Sequence, residues 1–140
     1  MTRDPIQTEE ILESIRTASD GAVVLFLGVV RDQNEGRVVE GIEYEAYQEM
    51  AVSVLTAIAR EAGGSADTDR IAVAHRTGEL KVGEVSLAIA VGSPHREEAY
   101  QASRYIIEEI KKRLPVWKKE RFTDGETIWV EGVRPKEGEE

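Results

Sequence analysis

Apolar positions recur along this chain with two different periods, and the switches between them mark its elements. Over residues 5–17, Ile11, Leu12 and Ile15 share one helical face; Asp4 before Pro5, or Thr8 before Glu9, supplies the cap, and Asp20-Gly21 the break. Residues 22–30, AVVLFLGVV, form an unbroken apolar run rich in β-branched side chains, which predicts a buried strand. Gly28 within it permits a bulge or a close backbone approach. A polar loop, 31–36, follows. Residues 37–47 then alternate, placing Ile42 and Tyr44 on the inward face of a half-exposed strand, expected to pair antiparallel with 22–30 across Gly36. Residues 48–62 return to the helical period, with Met50, Val54, Ile58 and Ala62, or Ala51 and Leu55 beside them, facing the core and Gly63-Gly64 ending the helix. Residues 70–76 and 85–91 read as two further strands, joined through Gly78 and Gly83.

The clearest stripe is Ala99, Ala102, Ile106, Ile110 and Leu114. It predicts a helix with Ser93 as cap and Pro94 at the first helical position, where no N–H is needed. His95 and Arg96 then fall in its first turn, at a strand-to-helix junction whose free N–H groups suit an anion. Lys111, Lys112 and Arg113 close the last turn, where cations complement the helix dipole. Pro115 ends the helix, because a residue preceding proline is pushed out of the α region. A strand carrying Lys118, Lys119, Glu120 and Arg121 and a hairpin about Asp124-Gly125 complete the order α-β-β-α-β-β-α-β-β. Strands in neighbouring pairs, without β-α-β crossovers, predict an α+β fold: a mainly antiparallel sheet with packed helices. One domain is expected over residues 1–132, with 133–140 a mobile acidic tail.

Charge sharpens this picture. The 140 residues carry a net charge of −9, yet six of the 18 Lys and Arg lie within residues 111–121, offset there only by Glu120. Such a local cluster on an anionic chain reads either as an anion site or as a solvated helix end. General nucleic-acid binding, which needs many phosphate-neutralising cations, is excluded. No apolar run reaches the ~20 residues that cross a membrane. The polar start MTRDPIQTEE is no signal peptide, so a cytoplasmic location is expected. With no cysteine and only His75 and His95, neither a thiolate nucleophile nor a metal centre is expected, and no cofactor is called for. His75-Arg76, at a strand end, reads as structural, and Arg31 as a side chain delivered to the edge of a central strand.

Helix geometry adds a constraint. His95 and Lys111 lie sixteen residues apart on one predicted helix, about 24 Å at ~1.5 Å per residue. A pocket-sized ligand spans roughly 10 Å. If both ends serve one ligand, they come from two copies of the chain paired about a two-fold axis.

The segments DGAVVLFLGVVRDQNEG, IEYEAY, HRTGEL, GSPHREEAYQAS and IKKRLPVWKKE together resemble the family of molybdopterin synthase large, catalytic subunits, over about residues 20–130. The resemblance implies an α/β-hammerhead type of fold and a homodimer. Each copy would bind a small ubiquitin-like sulfur-carrier subunit, giving a heterotetramer. The carrier's C-terminal Gly-Gly, as a thiocarboxylate, would donate sulfur to cyclic pyranopterin monophosphate, forming the dithiolene of molybdopterin. Carried over by motif, Lys111 lies beside the thiocarboxylate, stabilising an oxyanion or forming a transient covalent link. Lys118 is the second catalytic lysine, a general acid or base. Arg31, His95, Arg96, Lys119 and Glu120 complete the substrate-binding set, with His95 and Arg96 reaching in from the neighbouring chain. Val29 stands where some members carry lysine, and Pro94 where alanine is common.

Overall fold

The structure, a computed structural model, describes residues 1–68 and 70–130. The element order is α1 (Thr8–Ile15), β1 (Ala22–Val29), β2 (Gln33–Asn34), β3 (Arg37–Ala46), α2 (Gln48–Ala66), β4 (Ile71–His75), β5 (Gly78–Lys81), β6 (Val85–Ser93), α3 (Arg96–Arg113), β7 (Val116–Phe122) and β8 (Thr127–Val130). The fold is α+β, and every pairing between these strands is antiparallel. Two short strands, β2 and β5, fall where the sequence pattern suggested connections. The acidic tail, 133–140, lies outside the described residues.

Two sheets divide the molecule. The first has the order β1-β6-β4. Leu87, Ile89 and Val91 of β6 pack beneath α2 and α3, where Leu55, Ile58, Ala102, Ile106 and Ile110 complete the main core. The second has the order β2-β3-β7-β8, with β5 on the β2 side of β3, around a smaller core of Val30, Val39, Ile42, Leu80 and Phe122.

Strand 37–46 therefore does not pair with 22–30. After Gly28 the β1 register shifts, and Val30 bonds with Gly83 and Glu84 before the chain crosses into the second sheet. The hairpin across Gly36 is closed by β2, through a turn with positive φ at both Glu35 (51°) and Gly36 (78°), the twist that tight two-residue hairpins favour. Nor is β1 fully buried. It is an edge strand, with Val23, Leu27 and Val29 exposed in the single chain, while β6 is enclosed on both faces. A second register shift, between Val39 and Gly41, buries Val39 with Ile42 and leaves Val38 outside.

Helix boundaries also move. The α2 stripe is Ala51, Leu55, Ile58, Ala62 and Ala66, and the half-buried Met50 is outside the core. Gly63 and Gly64 do not end α2; it continues to Ala66 and stops at Asp67, in the left-handed region (φ 52°). Gly63 serves a close approach instead, since a Cβ there would sit 2.5 Å from the Thr68 carbonyl oxygen, whereas Gly64 has open space. At α3, Ser93 is the buried last residue of β6 and Pro94 precedes the helix. His95 holds the N-cap position, its N–H facing the Ser93 hydroxyl at 3.4 Å. Pro115 acts as predicted: Leu114 is extended (φ −71°, ψ 121°) and ends α3.

Two buried charged or titratable groups secure the first sheet. The nearly inaccessible Asp20 carboxylate accepts from Arg70 at 2.7 and 2.5 Å, in space that Gly92 leaves by having no Cβ. Its carboxyl is held below the ordinary range by the Arg70 guanidinium. His75, at the end of β4, lies edge-on to the Tyr44 ring with Nδ1 2.9 Å from the Arg76 carbonyl. Burial lowers its pKa from 6.5 to about 4, opposed by the Arg76 contact and assisted by the N-terminal amine.

Replacing Gly64 by alanine should stabilise the protein by roughly 0.5–1 kcal/mol in urea unfolding, the helix-propensity gain at an open site. Gly63→Ala should instead cost roughly 1–3 kcal/mol, because backbone must move. Equal effects would show that Gly63 has no packing role. For His75 the unfolded chain takes up a proton near pH 6.5 and the folded one only near 4. Stability from this group is thus complete above 6.5 and should fall by roughly 2 kcal/mol from pH 7 to 5. An imidazole NMR titration midpoint near 6.5 would contradict that burial.

Candidate active site

The seam between the two sheets holds a cavity of about 520 Å³. Phe26, Leu87, Ile107, Ile110, Leu114 and Val116 supply apolar wall; Tyr44, His75 and Ser86 supply polar wall; Arg31, Lys111 and Lys118 are the cations lining it. Each cation arrives for a local reason. Arg31 follows Val30, the last buried side chain before the chain leaves the first sheet. Lys111 follows Ile110, so the buried stripe of α3 fixes the rotation that aims it at the seam. The chain then reverses at Leu114-Pro115, where Tyr47 N–H donates to the Pro115 carbonyl (3.1 Å), and β7 brings Lys118 back beside the helix end.

Among the described residues, the dense basic cluster of 111–121 is sorted by its partners. Arg113 is paired with Glu61 (2.6 and 3.0 Å) and Glu109 (3.4 Å), and Lys112 with Glu109 (3.4 Å). Arg121 lies near Glu40 (3.7 Å) and Glu79 (3.8 Å). Lys119 does not line the cavity. It occupies the other side of β7 from Lys118 and sits over the Trp129 ring at 5.2 Å. Glu120 shares the Lys118 side but is almost wholly buried and is not a lining residue either. Its carboxylate accepts from Asn34 Nδ2 (2.9 and 2.8 Å) and approaches Lys118 Nζ at 3.6 Å. Lys111 alone of the six has neither an ion pair nor a ring partner among the described residues.

His95 and Arg96 line a different groove, at the other end of α3, with Gly21, Pro94, Glu97, Glu98 and Tyr100. Two carboxylates beside one guanidinium make that helix start a poor anion site within a single chain. The structure thus brings together Arg31, Lys111 and Lys118, and separates them from His95 and Arg96. A larger groove, about 820 Å³, runs beside α2 and β4 past Arg60, Asp67 and Arg70, and includes none of the residues nominated from the sequence. The chemistry favours the smaller cavity, where two lysines from different elements converge on a wall of mixed apolar and polar side chains.

Three polar lining residues, Tyr44, His75 and Ser86, stand outside the set that the sequence nominates. By pattern Tyr44 reads as core and His75 as structural, and Ser86 carries no motif. Their signal is positional: all three stand where strands of the two sheets meet. Burial is the main influence raising the Tyr44 phenol's pKa, with the Ser86 hydroxyl opposing it. Among the described residues no cluster of three His, Asp or Glu could hold a metal ion, and no helix is long and apolar enough to cross a membrane.

Residues 1–113 match the family model described as MoaE protein. The molybdopterin synthase catalytic subunit of Bacillus subtilis (strain 168) is 42% identical over 93% of this chain and 82% of its own length. That of Pyrococcus abyssi is 44% identical over 90% of this chain and 84% of its own. The crystal structure of molybdopterin synthase from Staphylococcus aureus superposes with a TM-score of 0.88 at 41% identity, covering 93% of this chain and 94% of that one. A cysteine-free α+β chain with two lysines converging on one cavity, and with relatives this similar along most of its length, belongs to the MoaE protein family, that of the molybdopterin synthase catalytic subunits.

Proposed function

We propose that the seam cavity receives the C-terminal thiocarboxylate of a small ubiquitin-like sulfur-carrier subunit ending in Gly-Gly, and that its sulfur passes to cyclic pyranopterin monophosphate in making molybdopterin. The observation that carries this is the meeting of Lys111 and Lys118 on one cavity in a chain with no cysteine of its own. Sulfur must then arrive on a partner, as an anion, and an extended glycine tail is narrow enough to enter between apolar walls. Ammonium groups there would bind the thiocarboxylate and stabilise the oxyanion that forms when its acyl carbon is attacked. For each sulfur delivered, the acyl C–S bond breaks, and at the pterin substrate a C–S bond forms as a C–O bond breaks: one such oxygen stays on the phosphate as its ring opens, and the other leaves as water. Water supplies the oxygen with which the carrier leaves as a carboxylate. Lys111, without a carboxylate partner among the described residues, is the group assigned to the acyl carbon, and Lys118 to holding the anion beside it. Arg31, at the rim, suits the pterin or its phosphate.

The reading includes a homodimer, and with two carriers a heterotetramer. His95 and Arg96 sit at one end of α3 and Lys111 at the other, in separate cavities, so a phosphate grip by His95 and Arg96 is assigned to the neighbouring chain's substrate. Residues 1–132 act as one catalytic domain, and the protein works in the cytoplasm.

Conversion of the cyclic pterin phosphate by the chain plus thiocarboxylated carrier is the test. Lys111→Ala and Lys118→Ala should each lower turnover at least about a hundredfold, the cost of losing a group that stabilises developing charge, with the dimer intact by gel filtration. Full activity in Lys111→Ala, or carrier binding without conversion by the wild type, would overturn the assignment. Shared sites make a further demand. Mixed and re-paired chains of Lys111→Ala and Arg96→Ala should recover about a quarter of wild-type activity, because half the dimers are mixed and each mixed dimer has one intact site. No recovery would place both groups in one chain's site.

A further inference from the structure

We propose that Asn34 is a positioning residue for Lys118, acting through Glu120; the inference rests on the reading of the cavity given above. Glu120 is a carboxylate with 3% of its side chain accessible, and a buried charge is costly unless its oxygens are satisfied. Its only cationic partner among the described residues is Lys118, with Nζ 3.6 Å from Oε1, an ion pair at long range. Asn34 meets the remaining demand: its Nδ2 donates to both carboxylate oxygens, at 2.9 and 2.8 Å, across 86 residues of sequence.

The Asn34 amide is delivered by a rigid device. Asn34 ends β2 at the mouth of the Glu35-Gly36 turn, with both turn residues at positive φ, and is paired in register with Arg37. An amide suits this place because it donates without adding charge. Aspartate would set a second carboxylate against Glu120, and leucine would leave both oxygens without a donor. The chain Asn34–Glu120–Lys118 therefore fixes one end of a flexible four-carbon side chain that would otherwise sample many rotamers in an open cavity. Lys111 has no such tether among the described residues. One lysine is thus held in place before the substrate arrives, and the other is left to follow the reacting atom. Glu120, assigned by resemblance to substrate binding, here turns its carboxylate to Asn34 and Lys118.

The experiment uses the full chain with thiocarboxylated carrier, comparing wild type, Asn34→Leu, Glu120→Gln and, as control, Lys118→Ala. Steady-state rates give kcat and KM for the cyclic pterin phosphate. Mass-resolved acetylation by dilute acetic anhydride on the uncomplexed dimer gives the reactivity of each lysine. Asn34→Leu should lower kcat about tenfold with KM within about twofold, the pattern of lost pre-organisation. Acetylation of Lys118 should change several-fold while that of Lys111 stays as in wild type. Glu120→Gln should do the same, and it carries the test should Asn34→Leu fold poorly, since the glutamine keeps the shape and one acceptor for Asn34 but loses the charge and the second acceptor. Wild-type kcat in both variants, or a lower kcat with unchanged Lys118 reactivity, overturns the proposal. Full activity in Lys118→Ala would instead sink the cavity reading itself.

Discussion

The site depends on a single backbone constraint, the break at Leu114-Pro115. Proline forbids the α region to Leu114, so α3 must end there with Leu114 still in the core. Because Ile106, Ile110 and Leu114 are buried, α3 has no freedom to rotate about its axis, and the direction of Lys111 follows from theirs. Because the chain turns back at once, β7 begins at Val116, and Lys118, seven residues after Lys111, lands beside the same cavity. Residues that pack the core thus set the placement of the charges. A proline one turn later would extend the helix past the seam and carry the second lysine away from the first.

Charge is distributed by pairing. Against a net −9, the basic segment 111–121 keeps little free cationic surface, since Arg113, Lys112 and Arg121 each have carboxylates near them. What reaches the cavity from that segment is Lys111 and Lys118, joined there by Arg31 from just past the end of β1. Across a Debye length of about 8 Å the acidic exterior is largely screened from such a site. An anionic chain can therefore keep a local cationic cavity for an anionic ligand and still repel polyanions at large.

Much of this was legible in the sequence where the signal is periodic. The α3 stripe, the proline stop, the β7–β8 hairpin and the antiparallel β4–β6 pair all follow from spacing and turn chemistry within a few residues. Partner choice was not legible. The run 22–30 looked two-sidedly buried because it is apolar throughout, yet it is an edge strand; its partner is β6, more than fifty residues away, and nothing local records that. Gly63-Gly64 resembled a helix stop because glycine serves both as terminator and as a place of close approach; only the neighbouring Thr68 carbonyl separates the two. Within the site, Lys111, Lys118 and Arg31 could be nominated from motif. The outward turn of Lys119 and the burial of Glu120 depend on strand parity and on Asn34, a contact made across the whole domain.

The length of α3 then limits what one chain can accomplish. It is buried along one face from Ala99 to Ile110 and runs 18 residues, Arg96–Arg113, about 27 Å at 1.5 Å per residue. Its two ends are separated by that length. The groove at its start contains Glu97 and Glu98 as well as His95 and Arg96, so alone it offers an anion little net attraction. The cavity at its end has cations but, of those two residues, neither. On the proposed pairing, one copy's helix start meets the other's helix end, and His95 and Arg96 would join the cavity that Lys111 and Lys118 line.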